Sequence, residues 1–577
     1  ARGPIHVRHE RQPDGSLRSS VDAPEGMVVE LIGTTLVARP AAQSADEPLQ
    51  ATSTDRTGVT VERPRCEWLV NPRGIVTRRP RLSWIVSSPE RDQRQSAYRI
   101  LVASRPERLE PGRADLWDSG RIESSETLGI EYAGQPLTAS QQVHWRVQTF
   151  DRDGRASAWS DPATWTMGLF TERDWQAEWI SAADANPLHA DRDRLHLPSA
   201  RQYRKEFRLT KPVTRAVLHG TALGIVDWSL DGRRVSDNLF EPGWTDYRRR
   251  VPSRTHDLTD LLAETDDGAH CLAAVVADGW YAGYVGYGLL VGYGPHRTGR
   301  NIYGTTPAIR GQLMIEYTDG SRESIVTDSS WQVTDAGPVR EADLLMGETY
   351  DARQELPGWN QAGYAVDEGI WTQAVPAAAT ARHAAPFFEP GIQRQVAVGF
   401  VEPTVIDGYA APPIRVTEEL PALSVREQSS GVFIFDLGQN FAGVVRLKVS
   451  AAAGTRIGLR FGEMLHPDGR LMTENLRRAR AIDTYVCKGG GVERWTPRFT
   501  YHGFQFVELT GLPAGTPPPL DTVTGLVIQS DTPLVGRFAC SDEVMTRFWE
   551  NTQWTQRANF IEVPTDCPQR DERLGWM

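Results

Sequence analysis

Residues 144–170 read HWRVQTFDRDGRASAWSDPATWTMGLF. HWRVQTFD (144–151) and ATWTMGLF (163–170) read as two strands, and DRDG (151–154) between them is a turn signal. Upstream, RLSWIVS (81–87) and AYRILVAS (97–104) are further strand candidates at similar spacing. Short strands with tryptophan inside them, separated by turns, predict a small immunoglobulin-like or fibronectin-type sandwich over about residues 66–170.

The same texture runs through most of the chain. Over 200–375, RAVLHGTALGIVDWSLDGRRV, HCLAAVVADGW and GQLMIEYTDGSRESIVTD read as strand–turn–strand patterns, with Asp319-Gly320 a strong hairpin signal. GWYAGYVGYGLLVGYG (279–294) does not fit a dinucleotide fingerprint. A loop of stacked tyrosines and a sugar platform both stay open for it. Residues 385–530 form a third β region, with GVFIFDLGQNFAGVVRLKVS and FTYHGFQFVELTGL as its strands. At the other end, IHVRHER, SLRSSVDA and MVVELIG are expected to make a short β unit over 1–40, with turns at PDG and PEG. Residues 41–65 are small, polar and aperiodic and read as a linker.

Composition narrows the function. At roughly 100–200 residues per domain, 577 residues suggest three to five domains. The 18 Trp and 38 Pro suit turn-rich sandwiches and also sugar-binding surfaces. A net charge of −11 without a basic stripe excludes a nucleic-acid footprint and disfavours an anionic polymer, but not a neutral ligand. The five cysteines are far apart with no CxxC, so free thiols are expected, and neither a disulfide framework nor a metal site is indicated. No apolar run reaches the roughly 18 residues a membrane span needs; the longest, CLAAVVA (271–277), has core-strand length. The chain opens on Ala1 with no signal-peptide pattern, which hints at a trimmed or incomplete product and leaves cytoplasmic and secreted locations both open.

The texture changes at SDEVMTRFWENTQWTQRANFIEV (541–563), where apolar or small residues at 544, 548, 555 and 558 carry a helical period. Ser541 is the expected N-cap, with Asp542 and Glu543 favoured by the helix dipole. One amphipathic helix cannot bury its apolar face alone, so a packing partner is expected to be missing. The chain then closes on VPTDCPQRDERLGWM (563–577). Pro564 and Pro568 break the helix, so Asp566 sits on a stiff irregular support. Asp571 and Glu572 follow, bracketed by Arg570 and Arg573, and Trp576 offers a flat face. Glycoside hydrolysis needs a protonated carboxyl and a second carboxylate. Asp566 and Asp571 would raise the pKa of Glu572 and the arginines would oppose that, so the reading requires both arginines to be engaged elsewhere. A surface salt-bridge cluster is the plainer alternative.

PTDCPQRDERLGW resembles the signature of bacterial α-L-rhamnosidases, glycoside hydrolase family 78. NPRGIVTRRPRLSWIVSS, QSAYRILVAS, LWDSGRI and HWRVQTFDRDGRASAWSDPA resemble the family's N-terminal fibronectin-like module. YRKEFRL, SLDGRRVSDNLFEPGWTDY, VADGWYAGYVG and GETYDARQE resemble its next sandwich. DLGQNFAGVVRLKV, GLRFGEMLHPDGRLMTENLRRARAIDTYVCKG and WTPRFTYHGFQFVEL resemble the third. The resemblance covers about 66–577 in the family's order. It implies a mainly β chain: an N-terminal extension and linker (1–65), a fibronectin type III-like module (66–178), and two jelly-roll-like sandwiches. The first of these is the rhamnosidase N-terminal sandwich (179–384) and the second is concanavalin-like (385–530). The start of an (α/α)6 catalytic barrel (531–577) follows.

The resemblance implies inverting hydrolysis of terminal α-L-rhamnosyl residues, without a cofactor or metal. Glu572 would be the general acid, Asp566 and Arg570 would bind rhamnose hydroxyls, and Trp576 would line the sugar pocket. The partners it implies are L-rhamnose-containing glycosides, with no nucleic acid or membrane and a possible homodimer. The family continues after LGW with a stretch ending in Gly-Asp, whereas Met577 ends this sequence, so the barrel and its general base are expected to be missing and the chain alone inactive. Only about 20 residues separate EWI (178–180) from RQYRKEF (201–207), too few for the calcium-dependent rhamnose-binding module that some relatives insert. Residues 1–40 faintly resemble the C-terminal β domain of the family. A non-catalytic carbohydrate-binding sandwich protein and an oligomerisation scaffold are the alternatives from other function classes.

Overall fold

The computed structural model describes residues 58–183, 195–263, 268–285, 294–389, 391–408, 411–573 and Gly575, together with four strands in the first 40 residues. The chain divides into two units, 1–56 and 57–577. In the first, His6–Arg11 pairs antiparallel with Leu17–Asp22, and Met27–Ile32 with Thr35–Pro40. The predicted PDG and PEG turns lie outside the described residues, as do residues 41–57 of the predicted linker.

The second unit is mainly β, as expected. In its first sandwich, Gln142–Phe150 is buried at every second residue, as a half-buried strand should be. This strand pairs with Ala97–Ala103 and Ala163–Met167. A three-stranded sheet of Ile130–Glu131, Arg81–Ser87 and Thr60–Cys66 completes the module. The linker reading therefore fails at its end. Pro64 interrupts the pattern in 60–66, but this is an edge strand, where a residue without an N–H is tolerated. Trp84, Trp145 and Trp165 are fully buried at the centre of the module, and Trp165 meets Trp145 and Tyr132 edge-on.

The second sandwich packs a seven-stranded sheet on a six-stranded one. Val213–Leu223 pairs with Ala308–Tyr317, which turns at Asp319-Gly320 into Arg322–Val326; Gly320 has φ +82°, as the tight turn demands. Trp228 and Trp331 meet edge-on in the core.

The third sandwich is built on a ten-stranded sheet around the long strand Val432–Val449. Two exchanges join the second and third sandwiches. The hairpin Val339–Asp343/Gly347–Asp351 lies in the span read as the second sandwich, yet Gly347–Asp351 pairs with Ile482–Val486 of the third. In the other direction, Val405–Gly408 pairs in parallel with Arg250–Asp257 of the second. A shared aromatic core seals the seam. Trp244 stacks on Trp280 (5.8 Å, 10°), and Phe240 touches Trp280 and Tyr501. Trp280 and Tyr281 are buried here, so they offer no sugar platform; residues 286–293 of that stretch lie outside the described residues.

The one long helix among the described residues is Glu543–Ala558. Its N-cap is Asp542, not Ser541: one carboxylate oxygen accepts from both Val544 N and Met545 N. Trp554 and Ala558 lean on the sandwich cores, while Val544, Met545 and Phe548 are exposed. No helix among the described residues is long and apolar enough to cross a membrane.

Glu348 locks the hairpin exchange. It is buried, and Oε2 accepts the backbone N–H groups of Arg498 and Phe499 at 2.9 Å each. Burial pushes its carboxyl up to about 7, against the pull of those two donors. A folded-state pKa above the unfolded value of 4.5 gives a contribution that is full below pH 4.5 and is lost as pH rises through 7. Glu348→Gln keeps the acceptor and removes the titration. Urea unfolding of both proteins at pH 5 and pH 8 should show the variant gaining about 2 kcal/mol on the parent at the higher pH. A difference independent of pH would contradict the assignment.

Candidate active site

Two short strands, Phe560–Ile561 and Val563–Pro564, turn the chain out of the helix and back onto the sandwiches. Glu562 forms the turn at φ +69°. Its N–H donates to Ser530 Oγ (2.7 Å), and its Oε2 accepts from the N–H of Trp244 (2.7 Å). Gly243 makes room for that carboxylate, because a Cβ there would lie 1.9 Å from Glu562 Oε1. Ile561 is buried in the seam core.

The loop after Pro564 closes on itself. Asp566 N–H donates to the Arg573 carbonyl (3.3 Å), and Cys567 N–H donates to the Glu572 carbonyl (3.2 Å). Its outer turn lies on Gly503 of the third sandwich, where a Cβ would meet Pro568 Cγ at 2.8 Å and Gln569 N at 2.9 Å. Arg573, 2% exposed, is the pin. Nε donates to the Arg570 carbonyl (3.1 Å), Nη1 to the Leu344 carbonyl (3.3 Å) and Nη2 to the Tyr501 carbonyl (3.3 Å). The guanidinium also lies over the Tyr501 ring at 4.4 Å.

The structure brings three of the four expected site residues together. Arg570 Nη2 stands 3.1 Å from Asp566 Oδ2 and 3.4 Å from Glu572 Oε2, so one guanidinium bridges the two carboxylates. Glu572 is 8% exposed and Asp571 1%. Trp576 lies outside the described residues. Both bracketing arginines are expected to be spent on Asp residues or sugar hydroxyls: Arg570 pairs more closely with Asp566 than with Glu572, and Arg573 is spent on backbone carbonyls. Cys567 donates its thiol to Asp566 Oδ2 (3.0 Å) and accepts from Arg570 Nε (3.2 Å). Burial, followed by the hydrogen bond to Asp566, pushes the thiol up to about 11, so it stays protonated and is no nucleophile.

Sequence reasoning missed Arg477. Its Nε pairs with Asp571 Oδ1 (2.7 Å) and its Nη2 with Glu572 Oε2 (3.0 Å). It projects from a loop of the third sandwich and holds φ +58°, ψ −107°, a strained conformation for a residue with a Cβ. The arginine-dense ENLRRAR (474–480) was the available signal, but only the fold reveals which arginine reaches the acid loop. Three carboxylates, Asp566, Asp571 and Glu572, thus face two guanidinium groups, Arg477 and Arg570. Among the described residues, no group of three or more His, Cys, Asp or Glu is arranged to hold a metal ion.

Arg573→Ala should cost about 2–4 kcal/mol in urea unfolding, because it leaves buried carbonyls without donors. Arg477→Ala takes the partner from buried Asp571 but removes a side chain that is itself 37% exposed, and should cost less, about 1–2 kcal/mol. The reverse order would contradict the pinning role of Arg573.

Four family models match the chain in order. The Rha78A-like N-terminal immunoglobulin domain matches 61–171 and the α-L-rhamnosidase N-terminal domain 211–396. The bacterial α-L-rhamnosidase concanavalin-like domain matches 426–529 and the six-hairpin glycosidase domain 533–577. An α-L-rhamnosidase of Streptomyces avermitilis is 33% identical over 90% of this chain and 62% of its own length. One of Formosa agariphila is 36% identical over 84% of this chain and 48% of its own. The chain therefore spans from about half to three-fifths of these relatives. Among solved structures, the Streptomyces avermitilis α-L-rhamnosidase complexed with L-rhamnose matches with TM-score 0.79 and 32% identity over 90% of this chain and 62% of that one. An α-L-rhamnosidase from Dictyoglumus thermophilum matches with TM-score 0.78 and 31% identity over 91% of this chain and 55% of that one.

Proposed function

This chain carries the domain series of the bacterial α-L-rhamnosidases, glycoside hydrolase family 78, and on that premise we propose that it supplies the acid-bearing wall of an inverting α-L-rhamnosidase site. The reaction removes terminal α-L-rhamnosyl residues from glycosides or polysaccharides. Glu572 is the general acid. Asp566 and Arg570 bind rhamnose hydroxyls, and Trp576 lines the pocket.

The observation that carries this reading is the bridge of Asp566, Arg570 and Glu572. A single guanidinium ties a nearly buried carboxyl to a second carboxylate on a loop braced by two sandwiches. Asp566 accepts and Arg570 donates, so the pair can take the donor and the acceptor of neighbouring sugar hydroxyls. In the reaction, Glu572 gives its proton to the glycosidic oxygen as the bond to the anomeric carbon breaks. A water attacks from the opposite face, and a second carboxylate takes its proton. Glu572 cannot also serve as that base. On this reading residues 1–577 alone release no rhamnose, because inversion needs a second carboxylate as the base beside the acid Glu572.

Turnover of an aryl α-L-rhamnoside by the isolated chain, lost on Glu572→Gln, would overturn that last expectation. In the active enzyme carrying this sequence, Glu572→Gln should lower kcat by about 10²–10⁴ on substrates with poor leaving groups and less on activated aryl glycosides. Proton NMR should show the β anomer of rhamnose formed first. An unchanged rate removes Glu572 from the acid role, and an α anomer appearing first removes inversion.

A further inference from the structure

A cavity of about 460 Å³ lies in the seam between the second and third sandwiches and shares no lining residue with the acid loop. Its volume falls among ordinary small-molecule pockets, roughly 300–1,000 Å³. Two features of its lining point to one kind of ligand. Two aromatic rings line the walls: Trp359, which rests on Trp371 (6.0 Å, 29°), and Trp495, which rests on Tyr485 (5.4 Å, 30°). Flat rings of this kind suit the C–H faces of a sugar.

The second feature is charge. Asp227 takes two arginines: Oδ1 accepts Arg234 Nε (2.8 Å) and Oδ2 accepts Arg498 Nη1 (2.7 Å). Glu348 also lines the cavity, so two carboxylates stand against Arg234 and Arg498. Arg494 also lines the cavity, is exposed, and has no carboxylate partner among the described residues. Arg446 is neutralised by Glu419. The local balance is therefore positive on a chain whose net charge is −11. That net charge disfavours a polyanion lying along the surface, but not one acidic ring held where guanidinium groups converge.

We propose that this seam cavity binds an acidic saccharide, its carboxylate taken by Arg494 and its ring by the tryptophans. The site is separate from the rhamnosidase reading and stands or falls without it. It would hold an acid-bearing stretch of a glycan on the sandwiches while another residue of the glycan is processed elsewhere.

The test titrates the 577-residue chain with D-galacturonate and with D-galactose, following tryptophan fluorescence and heat. Galacturonate should bind in the range of about 1–10 mM, more weakly at high salt, and galactose at least ~10-fold more weakly. Arg494→Gln and Trp359→Ala should each weaken galacturonate by about 10-fold. Arg494 is exposed and unpaired, so its variant should keep the parent's thermal midpoint. Equal binding of galactose, affinity unchanged in both variants, or no binding of galacturonate overturns the proposal.

Discussion

A buried guanidinium must find acceptors for its donors, and the position of the acid loop follows from how Arg573 does so. It reaches one carbonyl of its own loop, Arg570, and two that belong to the sandwiches, Leu344 and Tyr501. The Leu344 turn is itself fixed by Asp343. Oδ1 of Asp343 accepts from Leu345 N and Met346 N, and Oδ2 accepts from Tyr284 N. Burial pushes this carboxyl up to about 6, against three backbone donors. The chain of support therefore runs from Tyr284 through Asp343 and Leu344 to Arg573, and from there to Glu572. Its two hydrogen bonds, Tyr284 to Asp343 and Arg573 to Leu344, are costly to break because each would leave a buried polar group without a partner.

That support explains why β-sandwiches occupy so much of the chain when the candidate chemistry lies on one loop. Arg477 grips Glu572 and Asp571 from the third sandwich, and Trp244 of the second holds Glu562 at the entry to the loop. The exchanged strands fuse these two sandwiches into one frame, so Arg477, Leu344, Tyr501 and Trp244 keep fixed relative positions. A site assembled this way is preorganised by rigid elements, with the irregular backbone confined to its tip.

Local patterns in the sequence were legible where local physics decides. Gln142–Phe150 shows its strand in its period, and Asp319-Gly320 shows its turn through a glycine at positive φ. The helix was readable with its cap misplaced by one residue, since Ser541 and Asp542 are both good caps and only the chain's path chooses between them. Long-range pairing was not legible. Nothing in GETYD says that this strand leaves its neighbours for Ile482–Val486, and Pro64 masked an edge strand. The tryptophans were ambiguous for the same reason: Trp280 turns inward because Trp244, 36 residues earlier, supplies a stacking face. For the site, the acid loop was readable as chemistry, but its grip by Arg477, about 95 residues upstream, depends wholly on the fold.

The sandwiches hold the acid loop through Arg573 and Arg477. Amide hydrogen exchange on the unliganded chain measures this directly at Asp566 and Cys567, whose N–H groups donate to Arg573 and Glu572. Slow exchange is expected at both, comparable to Phe504 in the sandwich beneath. Exchange at the rate of an open coil would contradict it, and would leave Glu572 on a loop that the frame does not position.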